Sequence, residues 1–127
     1  MTARSLALIA VLGVACGFPA DAMTLRKFQE LDAAADKPEA TASLDMYLRG
    51  VYEGVLATSA DAEKREGRPL FCMPRSVSLA PVNIREMMKK RTARLRRSLS
   101  SGEYEALFDA ELGLFVLDGL REGFPCG

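Results

Sequence analysis

Apolar residues recur at helical spacing along most of this chain. Thr24 caps a short first helix with Phe28, Leu31 and Ala35 on one face, and Lys37-Pro38-Glu39 breaks it. A second helix is expected from about Ala40 to Thr58, with Leu44, Tyr47, Leu48, Val51 and Val55 on its stripe. Gly50 and Gly54 lie four apart on it, which predicts close approach of another helix. Ser59 to Pro69 contains Asp61, Glu63, Lys64, Arg65, Glu66, Gly67 and Arg68, and reads as an exposed polar loop. Ser78 caps a third helix from about Leu79 to Leu99, with Pro81 in its first turn. Its apolar stripe is Val82 or Ile84, then Met88, Leu95 and Leu99.

Ser100 and Glu103 have capping-box spacing and open a last helix that runs to Gly123. Leu107, Phe108, Leu112, Leu114, Phe115, Leu117 and Leu120 make it apolar around much of its circumference, so it is expected at the centre, with Leu114 and Leu117 buried. Ala106, Ala110 and Gly113 form a small-residue stripe on it. The pattern as a whole predicts an all-α fold, a small bundle of about four helices.

The N-terminus is patterned as an address. Arg4, an apolar run from Leu6 to Val14 and the small-x-small site Ala20-Asp21-Ala22 have the layout of a secretory signal peptide. Residues 1–22 are therefore excluded from the fold, and 23–127 form a single helical domain of 105 of the 127 residues. The competing reading is a lipoprotein acylated at Cys16, but Leu12 lies one place too far upstream of it. With ordinary cleavage the protein is periplasmic, and no other apolar stretch has the length to cross a bilayer.

Export decides the cysteines. Cys16 leaves with the signal, and Cys72 and Cys126 remain as an even pair in an oxidising compartment, where a disulfide is the default over two free thiols. The last two helical patterns have similar length, so a hairpin of them returns to its starting level. Cys72 lies before the first and Cys126 after the second, which favours the bridge.

Charge and chemistry narrow the function. The chain has seventeen basic and seventeen acidic residues; removal of Arg4 and Asp21 leaves sixteen of each. That balance argues against nucleic-acid binding, which wants a basic excess. The third helix is nonetheless basic (Arg85, Lys89, Lys90, Arg91, Arg94, Arg96, Arg97) and the last acidic, so they are expected to pair. The chain has no histidine, which removes the commonest general base and metal ligand. Ser76 and Ser78 have no base at a recognisable spacing, and no glycine-rich phosphate loop is present. The expectation is a protein that is not an enzyme, needs no cofactor or metal, and works by binding another protein.

Tyr47-Leu48-Arg49-Gly50-Val51, Phe71-Cys72-Met73-Pro74 and Leu120-Arg121-Glu122-Gly123-Phe124-Pro125-Cys126 resemble the Tai family, the type VI amidase immunity proteins of the bacterial periplasm. The resemblance spans roughly residues 44–126. It implies a small helical protein, often a homodimer, that blocks a peptidoglycan amidase toxin. The chain departs from the family pattern in having Leu44-Asp45-Met46 where a further cysteine is usual, and Ser100-Ser101-Gly102 in place of a His-Pro turn. The alternative is a periplasmic structural or adaptor module without a toxin partner. A blocking protein needs an element that enters a cleft, and the segment bearing Asp61, Glu63, Arg65, Glu66 and Arg68 is the candidate. The basic face around Lys89, Arg94 and Arg97 competes with it.

Overall fold

In a computed structural model, residues 22–127 are described; the expected signal peptide up to Asp21, with Cys16, lies outside them. The described residues form five helices: α1 Leu25–Ala33, α2 Pro38–Glu66, α3 Pro81–Ser98, α4 Ser101–Leu107 and α5 Leu112–Gly123. Among them there is no strand, only an isolated antiparallel bridge between Thr24 and Glu111. The all-α expectation holds, with one helix more than expected.

The extra helix comes from a break in the last one. Ser100 caps α4 as anticipated: its hydroxyl accepts from the Glu103 amide, and the Glu103 carboxylate accepts from the Ser100 amide at 2.9 Å. The helix then stops after Leu107, because the N-terminal segment lies across it. The amides of Leu25 and Arg26 donate to the carbonyls of Ala110 and Phe108 at 3.0 and 2.9 Å, and the Leu112 amide donates to Met23 at 2.8 Å. Carbonyls that a continuous helix would bond internally are given to another segment, and α5 restarts at Leu112.

The second correction concerns α2. It does not end at Thr58 but runs 29 residues to Glu66, roughly 43 Å. Ala60, Ala62, Glu63, Lys64, Arg65 and Glu66 are good helix formers, and neither glycine nor proline interrupts them. Polarity suggested a loop, but it marks only a helix end without a buried face. The real stop is Gly67, at φ 74° with its amide on the Glu63 carbonyl, followed by Pro69. The helix also starts earlier than expected, with Pro38 in its first turn. The α3 cap is Ala80 rather than Ser78; the Asn83 side chain accepts from the Ala80 amide at 2.9 Å.

The core takes one stripe from each of four helices: Leu25 and Phe28, Leu44, Leu48 and Tyr52, Ile84 and Met88, and Leu112, Phe115, Val116 and Leu120. Phe71 and Phe108 join it from the connections. Ile84, not Val82, is the buried member of the α3 pair; Val82 is 58% exposed. In α5 the buried face is 112, 115, 116, 119 and 120, so Leu114 points outward at 60% exposure and Leu117 is half-buried. The expectation for Leu114 fails because a helix apolar all round carries little information about which face turns inward.

The close approach of helices also occurs elsewhere than expected. A Cβ on Gly50, Gly54 or Gly113 would meet nothing within 4 Å, whereas one on Gly119 would lie 3.0 Å from the Met87 Cε atom. Gly119 is thus where α3 and α5 come together.

Cys72 and Cys126 are joined in a disulfide across 54 residues. The equal-helix reasoning behind that expectation does not hold, since α3 has 18 residues and α5 has 12. The extended segment 68–80 carries Cys72 to the end of α5 instead, where its amide donates to the Phe124 carbonyl at 2.8 Å. A loop of this length stabilises by about 4 kcal/mol in the chain-entropy picture.

Two outcomes test this packing. Leu120→Ala should cost about 2–5 kcal/mol by urea denaturation, while Leu114→Ala should stay within about 0.5 kcal/mol; equal costs would mean that α5 is rotated. Gly50→Ala and Gly54→Ala should each raise stability by about 0.5–1 kcal/mol, because both sites are open, exposed helix interior. A loss of stability at either would show that something packs on that face.

Candidate partner-binding site

The segment nominated from sequence is a helix end, not a loop. Asp61, Glu63, Arg65 and Glu66 occupy the last two turns of α2, and Arg68 follows the Gly67 cap. All five are exposed. The helix separates them into faces. Asp61 and Arg65, four apart, form an ion pair at 2.9 Å. Glu63 instead lines an open groove of about 430 Å³ between α2 and the 69–75 segment, with Phe71 and Arg75.

That groove has a fixed far wall. The Ser59 hydroxyl, buried at the α2 surface, accepts from the Leu70 amide at 3.0 Å. The Tyr52 hydroxyl accepts from the Leu79 amide at 3.3 Å and donates to the Met73 sulfur at 3.6 Å. With the Cys72 bridge on the other side, segment 69–80 is held to α2 at two points and to α5 at one. Tyr52 follows Leu48 at helical spacing and is legible as a core position. That its hydroxyl and Ser59 anchor the connection that follows α2 could not be read from spacing.

The basic face is partly neutralised, as anticipated, although α1 and α2 contribute as well as α5, with Asp45 of α2 lying 3.7 Å from Arg85. Arg91 pairs with Asp118 and Glu122 at 3.8 and 3.1 Å and lies over the Phe115 ring, 4.3 Å from its centroid. Arg94 also bonds Glu122. Arg85 and Lys89 turn to α1 instead, reaching Asp32 at 2.8 and 3.2 Å. Arg96 and Arg97 have no carboxylate partner among the described residues.

Asp32 is held by two cations at a largely buried position. Burial pushes its pKa up, but hydrogen bonds from Arg85 and Lys89, reinforced by their charges, outweigh that and hold it below the ordinary carboxylate value. Glu103 is also held low, by the Ser100 amide and hydroxyl. Both are structural contacts. Among the described residues no cluster of His, Cys, Asp or Glu is placed to hold a metal ion, and no helix is long and apolar enough to cross a membrane.

No known protein family, curated protein or solved structure matches this chain. The surface chemistry described above is therefore the basis for a functional reading. It offers exposed charged side chains on a helix end and an open groove beside them, a set suited to recognition.

The Asp32 cluster gives a pH-dependent expectation. A depressed native pKa contributes stability that is present above the unfolded value, near 3.9, and is lost as pH falls through the lower native value. Asp32→Ala should cost about 1–3 kcal/mol at neutral pH, the worth of hydrogen bonds to a charged group. The cost should shrink below about pH 4. Urea denaturation of both proteins across pH checks this, and a cost independent of pH would assign it to packing alone.

Proposed function

We propose that this chain is a periplasmic immunity protein that binds and inhibits a peptidoglycan amidase toxin of a type VI secretion system. The observation that carries the reading is the meeting of two pieces of the Tai-like pattern. Phe71-Cys72-Met73-Pro74 and Phe124-Pro125-Cys126 are joined through their cysteines and through the Cys72 amide on the Phe124 carbonyl. The third piece, Tyr47-Leu48-Arg49-Gly50-Val51, lies on α2. In this reading the disulfide belongs to an exported protein in an oxidising compartment.

Inhibition then works by occlusion, without chemistry of the chain's own and without a cofactor. The exposed end of α2 enters the toxin's cleft, and Asp61, Glu63, Arg65, Glu66 and Arg68 make the contacts. A helix end already ordered before binding loses less conformational entropy on docking than a flexible loop would.

Calorimetry with any peptidoglycan amidase found encoded beside this gene tests the proposal. Replacing Glu63, Arg65 and Glu66 together by alanine should leave the melting temperature nearly unchanged, since alanine is the best helix former and exposed ion pairs add only about 0–1 kcal/mol. The same change should weaken binding at least about tenfold, or 1.4 kcal/mol. Unaltered affinity would move the interface elsewhere. Absence of binding by the unaltered protein to any co-encoded amidase would favour the structural or adaptor alternative, and peptidoglycan cleavage by the pure protein would favour an enzyme.

A further inference from the structure

A second cleft, away from the α2 end, lies between α1, α3 and α4. It is open and holds about 500 Å³, within the range of sites that accept a few side chains. Lys89, Thr92, Ala93 and Arg96 follow one another down the α3 side, with Arg97 beside them, and Phe28 and Ala33 of α1 face them. Tyr104 of α4 also lines it, its ring set edge-on to Phe108 at 4.9 Å. The cleft thus combines apolar surface from Ala33, Ala93 and the Tyr104 ring, over the buried Phe28, with cationic groups.

The charges around the cleft are unbalanced. Its single carboxylate, Asp32, is already engaged by Arg85 and Lys89. Arg96 and Arg97 have no carboxylate partner among the described residues, although the chain's other α3 arginines, Arg85, Arg91 and Arg94, each have one. Their position in the last turn of α3 suits the helix dipole, but that explains neither the recess beside them nor its apolar lining. A guanidinium pair beside an apolar recess is complementary to carboxylates that flank an apolar side chain, because each guanidinium fork can take a carboxylate in a two-point bond.

We propose that this cleft is a docking site for an acidic segment of a partner protein, with an aromatic or large aliphatic side chain seated against Ala93 and Tyr104 and flanking carboxylates on Arg96 and Arg97. Nucleic acid is a poorer fit, since the chain as a whole carries no basic excess. An anionic membrane surface calls for a broad basic face, not a recess with two free cations. The proposal does not depend on the immunity reading: it concerns a different surface and needs no amidase to test.

Selection of a random short-peptide display library on the intact, disulfide-bonded protein provides the test. The expected result is enrichment of peptides with acidic residues flanking an aromatic or leucine. Their affinity should fall at least about tenfold with Arg96→Gln combined with Arg97→Gln, and as much with Ala93→Trp, which fills the recess while every charge remains. Both variants should keep the unaltered protein's helical circular dichroism and melting temperature, and a variant that does not is replaced by Arg96→Lys with Arg97→Lys or by Ala93→Leu. The lysine pair keeps the charge but loses the fork, so weakened binding is expected there too. No enrichment, enrichment without the acidic pattern, or peptides that bind all variants equally would overturn the proposal. Charge-dependent sedimentation with phosphatidylglycerol vesicles, without acidic peptides in the selection, would overturn it in favour of a lipid surface.

Discussion

The pairing of the N-terminal segment with the α4–α5 junction governs the rest of this fold. Three backbone hydrogen bonds join residues 23–26 to residues 108–112. They end α4, set Leu112 as the first residue of α5, and place Leu25 and Phe28 against the face that α5 then presents. Each bond exchanges an internal helical partner for a tertiary one, so the net gain per bond is modest, about 0.5–1.5 kcal/mol. The consequence is larger than that energy, because the break sets where α5 begins while Phe115, Val116 and Leu120 turn to the core and Leu114 to solvent. The free oxygen of Tyr47 extends the same attachment, accepting from the Met23 amide at 3.2 Å.

The long connection before α3 is the opposite problem: it has few backbone bonds of its own. Residues 68–80 are extended, with a single turn in which the Val77 amide donates to the Pro74 carbonyl. They are fixed by side chains and by the disulfide instead. Ser59 and Tyr52 supply hydroxyl acceptors, Phe71 is buried, and Cys72 is tied to the C-terminus. Taken together these form the far wall of the groove beside α2. A charged helix end lies on one side of it and the bridge on the other.

Electrostatics separates structural charge from charge left over. Asp32 gathers Arg85 and Lys89 and so connects α1 to α3, while Glu122 and Asp118 gather Arg91 and Arg94 and connect α3 to α5. α3 is thereby pinned on two sides through its basic residues. Among the charges left over are Glu63 and Glu66 at the exposed end of α2 and the Arg96–Arg97 pair, which are available for recognition.

The sequence by itself determined the helical class, the caps at Thr24 and Ser100, the break at Lys37-Pro38, most of the core and the joining of Cys72 to Cys126. Periodicity, local hydrogen bonding and an even cysteine pair are short-range or compositional signals, and they survive folding. The end of α2 was also written in the chain, at Gly67 and Pro69, but polarity masked it. Only the tertiary structure decided the split of the last helix, the inward face of α5 and the partners of Arg85 and Lys89. These depend on groups distant in the chain: carbonyls at 108 and 110 meeting amides at 25 and 26, and a carboxylate on α1 within reach of Arg85 and Lys89. Spacing within one helix carries no record of such encounters, so the candidate surfaces became separable only once the helices were packed.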